Sequence, residues 1–255
     1  RSMKIVISPA KSLKFDKQLP TSTQTQPHFS GEAEKINSLL KKKSHKQLSQ
    51  LMSISDKLAE LNWERNQAFQ LPESKENTRA AIYAFNGDVY QGLDAYTLAD
   101  EKINQMQNQL RILSGLYGVL KPLDGIQPYR LEMGTSFKVG RHKNLYSFWK
   151  DKITAQLNSE MELNELFVNL ASNEYFSAVD SKMLHTEIIS PQFKDFKNGK
   201  LKIISFFAKK ARGMMARHLI ENNASTLEDV LSFSSEGYAF NESETKDPLN
   251  PVFVR

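Results

Sequence analysis

The stretch SFFAKKARGMMARHLI, residues 205–220, gathers Lys209, Lys210, Arg212 and Arg217. Cations in one short segment suit one task well: they hold anions, phosphate above all. With Ile203–Phe207 read as strand and a helix starting near Ala208, each residue turns by about 100°. With Lys209 set at zero, Lys210 falls near ~100°, Arg212 near ~−60° and Arg217 near ~80°. Gly213, near ~40°, sits among them. Ala208, Ala211, Met214, Met215 and Leu219 share the other side, as a core face requires. A glycine inside a helix costs about 0.5–1 kcal/mol relative to alanine, so Gly213 needs a reason. Three are open. The cations form a solvated face; or an anion meets them at the glycine, helped by first-turn amides and the helix dipole; or a second helix packs over Gly213.

A second candidate lies in LSQLMSISDKLAEL, Leu48 to Leu61. Ser53-Ile54-Ser55-Asp56-Lys57-Leu58-Ala59 resembles the core of a helix-hairpin-helix, with serine at both glycine positions. Small residues allow a tight turn, Ile54 plugs between the helices, and Ala59 lets them approach. The second helix would then offer amides to a DNA phosphate, a contact that positions without reading bases. Serine enters positive φ less readily than glycine, and Asp56 repels phosphate unless a cation bridges them. Lys41, Lys42, Lys43, Lys46 and Lys57 supply positive charge nearby. An ordinary αα-hairpin with a solvated lysine-rich side is the plainer reading.

Two loops add candidates. Tyr129-Arg130-Leu131-Glu132 lies in the Pro- and Gly-rich stretch after Leu120, where Arg130 could hold an anion and Glu132 act as a base; a simple loop ion pair is the alternative. Ser8-Pro9-Ala10-Lys11 follows the first apolar run. If the sheet is partly parallel, this loop lies at a carboxyl edge, where α/β proteins place ligands, and Lys11 is a candidate for the cleft; a surface lysine is the alternative. Lys14 follows it. No Gly-rich phosphate loop, nucleophile elbow or paired catalytic carboxylate motif is present.

The elements that must position these groups alternate in type. Ile5-Val6-Ile7 reads as a buried strand. Residues 31–70 read as helices, with a capping box at Ser44 and Gln47 and a second such signature at Ser53 and Asp56. Ala80 to Phe85 and Arg111 to Leu120 read as strands, and Tyr146 to about Leu157 as an amphipathic helix. Phe167 to Leu170 reads as a strand. Asn198-Gly199 marks a hairpin, and Phe233 to Phe240 a last strand before an irregular tail. The expectation is one α/β (α+β) domain over 3–255, with a mixed β-sheet core flanked by helices and a helical subdomain at 31–70.

Bulk features narrow the function classes. The 255 residues carry a formal net charge of +5, which suits a polyanionic partner. There is no cysteine, which removes thiol catalysis, disulfides and thiolate metal sites. His28, His45, His142, His185 and His218 share no ligand-like spacing, so neither a metal nor a cofactor is expected. No apolar run approaches a membrane span, and Arg1-Ser2 before Met3 read as an expression scar, so a cytoplasmic protein is expected.

ISPAKSL at 7–13, LMSISDKLAELN at 51–62, LSGLYGVLKPLDGIQPYRLEMGT at 113–135, LYSFWKDKIT at 145–154, NLASNEYF at 169–176, ISFFAKKARGMMARHLI at 204–220 and EGYAF at 236–240 resemble the YaaA family. That resemblance implies a cytoplasmic bacterial protein of peroxide stress that limits free iron. It also implies an unusual α/β fold with a helix-hairpin-helix element and a basic cleft for double-stranded DNA. Carried onto this chain, the hairpin is Ser53, Ile54, Ser55 and Lys57. The cleft candidates are Lys11, Lys14, Arg130, Lys209, Lys210, Arg212 and Arg217. A monomer is the simplest assembly. The rival is an enzyme acting on a nucleotide, damaged base or other phosphorylated metabolite, with Glu132 or Glu174 as acid/base.

Overall fold

A computed structural model describes residues 3–255; Arg1 and Ser2, read above as a scar, lie outside the described residues. The first apolar run becomes the strand Met3–Ile7, buried along its whole length. It pairs in parallel with Leu110–Ser114 on one side and Leu166–Leu170 on the other. Ile188–Ile189 adds a further parallel strand, and Gly118–Leu120 closes the opposite edge antiparallel. Burial on both faces explains why these strands are mostly apolar rather than alternating, with Lys4 and Arg111 paired to Glu165 and Glu160. A second, four-stranded sheet runs in the order Lys200–Lys202, Gln192–Lys197, Val252–Val254, Ala239–Phe240. The expected mixed α/β architecture is therefore what this chain forms.

Several elements match their sequence signals. Asn198 and Gly199 both take positive φ (54° and 77°), as a two-residue hairpin between twisted strands requires. Residues 31–70 hold three helices, Ser30–Leu40, His45–Met52 and Asp56–Ala68. The amphipathic helix near 146–157 runs over Leu145–Glu160.

Other expectations are corrected. Ala80 to Phe85 is not a strand; Ala81–Ala84 is a buried helical turn between two-residue ladders. Arg111 to Leu120 is not one strand but a hairpin, because the chain reverses at Gly115–Tyr117. Phe233 to Phe240 supplies only Ala239–Phe240, while the tail provides Val252–Val254, which sits inside the second sheet. Apolar content alone could not separate a tail from a strand of three residues. The helix placed from Ala208 begins at Ser205 and ends at Glu221.

One buried acid makes stability depend on pH. Glu73 follows the third helix of the helical region, and its Oε1 is buried without a hydrogen-bond partner among the described residues. Burial, aided by the charge of Asp124, pushes its carboxyl up to about 7. The folded protein thus binds a proton there that the unfolded chain has released, so stability falls as pH rises from about 4.5 to about 7 and then levels off. Glu73→Gln is expected to leave stability unchanged below that window. At pH 8 it should raise stability by about 1–2 kcal/mol, a figure reduced for partial exposure. Chemical denaturation at pH 4 and pH 8 reads both values.

Candidate nucleic-acid interface

The three parallel strands Met3–Ile7, Leu110–Ser114 and Leu166–Leu170 end on one edge of the sheet. Ser8 and Ser172 leave two of those ends and meet there. The Ser172 amide donates to Ser8 Oγ at 2.9 Å, and the two hydroxyls lie 3.3 Å apart. Tyr90 donates its hydroxyl to the Ser8 carbonyl at 2.8 Å. The long loop after Leu120 is drawn to the same edge. Tyr129 is buried, with its hydroxyl 2.6 Å from Ser114 Oγ, and the Leu131 carbonyl packs directly on Gly115. Those anchors bring Arg130 and Glu132 beside Lys11.

A cleft of about 450 Å³ opens over this edge, lined among others by Ser8, Lys11, Glu132, Ser172, Glu174, Lys209 and Arg212. The carboxyl-edge placement expected for Lys11 is what the fold provides. Lys11 Nζ lies 3.4 Å from one Glu132 oxygen, and Arg130 Nη2 lies 3.7 Å from the other. Glu132 is thus part of an ion cluster. Glu174 accepts from the Gly134 amide at 2.9 Å. Arg130 Nε is buried without a hydrogen-bond partner among the described residues. Arg65, from the third helix, is held below the usual guanidinium range by burial and by the charge of Arg130. The sequence carried no signal for Arg65; only the fold brings it to this corner. Ser8 and Ser172 were also missed, although serines after two parallel strands could have marked the edge.

The basic helix meets the cleft with only part of its charge. Gly213 is not open to an anion. The short helix Asp88–Leu93 lies across it, and a Cβ built on Gly213 would overlap the Val89 carbonyl oxygen and lie 2.7 Å from the Leu93 nitrogen. Gly92 returns the contact against Lys210, where a Cβ would overlap the carbonyl oxygen and lie 3.0 Å from its carbon. The third of the three readings above is therefore correct, and the anion-at-glycine reading is withdrawn. The starting residue matters too. With the helix beginning at Ser205, its unpaired first-turn amides precede Lys209 instead of joining it.

The crossing helix also divides the cations. On the helical wheel Gly213, near ~40°, separates Lys209 and Arg212 from Lys210 and Arg217. Lys209 and Arg212 line the cleft; Lys210 and Arg217 line a different hollow with Asp94, His218 and Glu221. Arg217 is engaged within the protein. It donates to the carbonyls of Leu93 and Asp94 at 3.0 and 2.7 Å and pairs with Glu221 at 3.3 Å, so it secures the crossing rather than a ligand. Lys14 lines a neighbouring recess with Lys17, Tyr83 and Tyr96.

The hairpin candidates lie apart from the cleft. Helices His45–Met52 and Asp56–Ala68 join through a tight turn in which Ser53 takes the left-handed conformation (φ 53°, ψ 51°). Ser49 Oγ donates to the Ile54 carbonyl at 2.7 Å, which closes the turn. The capping box at Ser44 and Gln47 is present. The second one is corrected: Ser55, not Ser53, caps the next helix, accepting from Leu58 N at 3.2 Å. Ile54 and Ala59 are buried, as close helix packing requires, whereas Leu58 and Leu61 are 38% and 40% exposed and complete no apolar stripe. Lys57 is exposed. From Lys57 to Arg65 the helix rises about 12 Å, so one rod links the turn to the corner where Arg65 meets Arg130.

Among the described residues no group of three His, Asp or Glu side chains converges as a metal site, and no helix is long and apolar enough to cross a membrane.

Residues 3–244 match the model of the peroxide stress protein YaaA family. The chain belongs to the YaaA family. UPF0246 proteins of Flavobacterium johnsoniae and Flavobacterium psychrophilum are 60% and 58% identical to it over 244 residues, 96% of this chain and 97% of each relative. A UPF0246 protein of Idiomarina loihiensis is 52% identical over 247 residues, 96% of both chains. As a YaaA family member, the chain belongs among proteins of the peroxide stress response.

Proposed function

We propose that this YaaA family member binds duplex DNA through its phosphates, with little dependence on sequence, and so limits the damage that peroxide and iron cause. The observation that carries the reading is Arg212. Its guanidinium is partly buried in the cleft, its pKa is lowered by burial alone, and no hydrogen bond or ion pair within the described protein satisfies it. Partial burial strips some of its hydration, and an anion entering the cleft would offset that loss. Lys209 and Lys11 line the same cleft, and the Arg65–Arg130 corner extends the positive potential toward the hairpin helix. The tight turn at Ser53 and Ser55, with Lys57 beside it, would hold a second stretch of phosphate. Lys57 and Arg65 lie ~12 Å apart along one helix, less than one ~34 Å turn of duplex.

Fluorescence anisotropy with labelled duplexes of unrelated sequence tests this. The duplexes should bind with similar affinity, and Lys57→Glu should weaken all of them roughly five- to tenfold. Absence of duplex binding at low salt would refute the reading.

A second reading uses the same cleft: an enzyme on a nucleotide, damaged base or other phosphorylated metabolite. Glu132 and Glu174 favour it, because both carboxylates line the cleft.

A further inference from the structure

The cleft is chemically divided. On the wall supplied by the helix Ser205–Glu221, Arg212 has no partner among the described residues, and no carboxylate offsets its burial. Lys209, one turn earlier on the same helix, lines the same wall. The acids of the lining, Asp88, Glu132 and Glu174, come from other elements. Glu132 is held by Lys11 and Arg130, and Glu174 by the Gly134 amide through one oxygen only. The hydroxyls of Ser8 and Ser172 line the same cleft. A phosphate backbone lying along this surface would gain from the cations and be repelled by the carboxylates of Asp88 and Glu174, which no described cation pairs. A single nucleotide suits the whole cleft, because it carries an anion at one end and hydrogen-bond donors on its base and sugar at the other. The volume, about 450 Å³, is in the ~300–1,000 Å³ range of small-molecule sites.

We propose that the cleft holds one nucleotide unit, with its phosphate on Arg212 and Lys209 and a donor edge of its base or sugar on Glu174 and Glu132. The inference rests on the duplex-binding reading: the unit is an unpaired nucleotide turned out of DNA, read as enzymes read extruded bases. Glu174 is the residue that distinguishes a nucleotide from bare phosphate. Its second oxygen takes no hydrogen bond from the described residues, has no use for phosphate, and would accept from an amino or hydroxyl group.

Isothermal titration at fixed ionic strength, with inorganic phosphate and the four deoxynucleoside 5′-monophosphates as probes, tests the proposal. At least one monophosphate should bind ten times more tightly than inorganic phosphate. Arg212→Ala should lower that affinity at least tenfold, with an unchanged circular dichroism spectrum. Glu174→Gln keeps an oxygen for the Gly134 amide and should cut the nucleotide's advantage over phosphate to two- or threefold. The proposal is overturned if none of the four outbinds phosphate, or if the advantage survives both Glu174→Gln and Glu132→Gln. A fully paired duplex titrated alongside separates the two ideas. Duplex binding without nucleotide selectivity removes the nucleotide site and leaves the duplex reading standing. Nucleotide selectivity without duplex binding removes the duplex reading and supports the site as one for free nucleotides.

Discussion

Gly213→Ala should destabilise the protein by about 3 kcal/mol, although the same change in an ordinary helix interior stabilises by about 0.5–1 kcal/mol. The sign reverses because the added Cβ meets main chain, not a side chain that could swing aside. Val89 and Leu93 contribute the obstructing atoms, and both belong to the helix Asp88–Leu93. Relief requires the two helices to separate, and their separation would loosen Arg217 from the carbonyls of Leu93 and Asp94. Gly31 is the control. It stands in the first turn of Ser30–Leu40, and a Cβ there meets nothing within 4 Å, so Gly31→Ala should be neutral or mildly stabilising. Urea denaturation of both variants measures the difference. A Gly213→Ala protein as stable as wild type would mean that the helices do not cross at this glycine.

The second large effect concerns the cleft. Replacing Lys11, Lys209 and Arg212 together with alanine should weaken duplex binding by about 10- to 100-fold, equally for all sequences. Arg212 should dominate among the three single changes, since it alone is partly buried without an acid beside it. Lys11 should contribute less, because it is 64% exposed and already paired with Glu132. Lys210→Ala, on the far side of the crossing helix, should have little effect on duplex affinity. Competition binding with one duplex ranks the four variants. Equal losses from Lys210 and Arg212 would mean that the division of the basic face has no functional consequence.

How far the sequence speaks for itself depends on the range of the interaction. The central strand, the Asn198-Gly199 hairpin and the capping box at Ser44 are local, and each is visible in a few adjacent residues. The wheel around Lys209 also placed Gly213 correctly between two pairs of cations. What it could not supply was the object resting there, since the helix Asp88–Leu93 is more than a hundred positions away in the chain. Arg217 reads as a free cation for the same reason; its i,i+4 partner Glu221 is visible in the sequence, but the carbonyls of Leu93 and Asp94 that hold it are not. Arg65 drew no attention because its neighbour Arg130 comes from a distant loop. The tail strand Val252–Val254 is legible only once Gln192–Lys197 offers it an edge.

The salt dependence of duplex affinity addresses the phosphate contacts most directly. The wild-type protein should show a logarithm of the binding constant that falls linearly with the logarithm of salt, at a slope of about −3 or steeper, and the triple alanine variant a slope shallower by about 2–3. An affinity that stays flat across the same salt range, or an equal slope in the variant, would mean that Lys11, Lys209 and Arg212 do not hold a phosphate backbone.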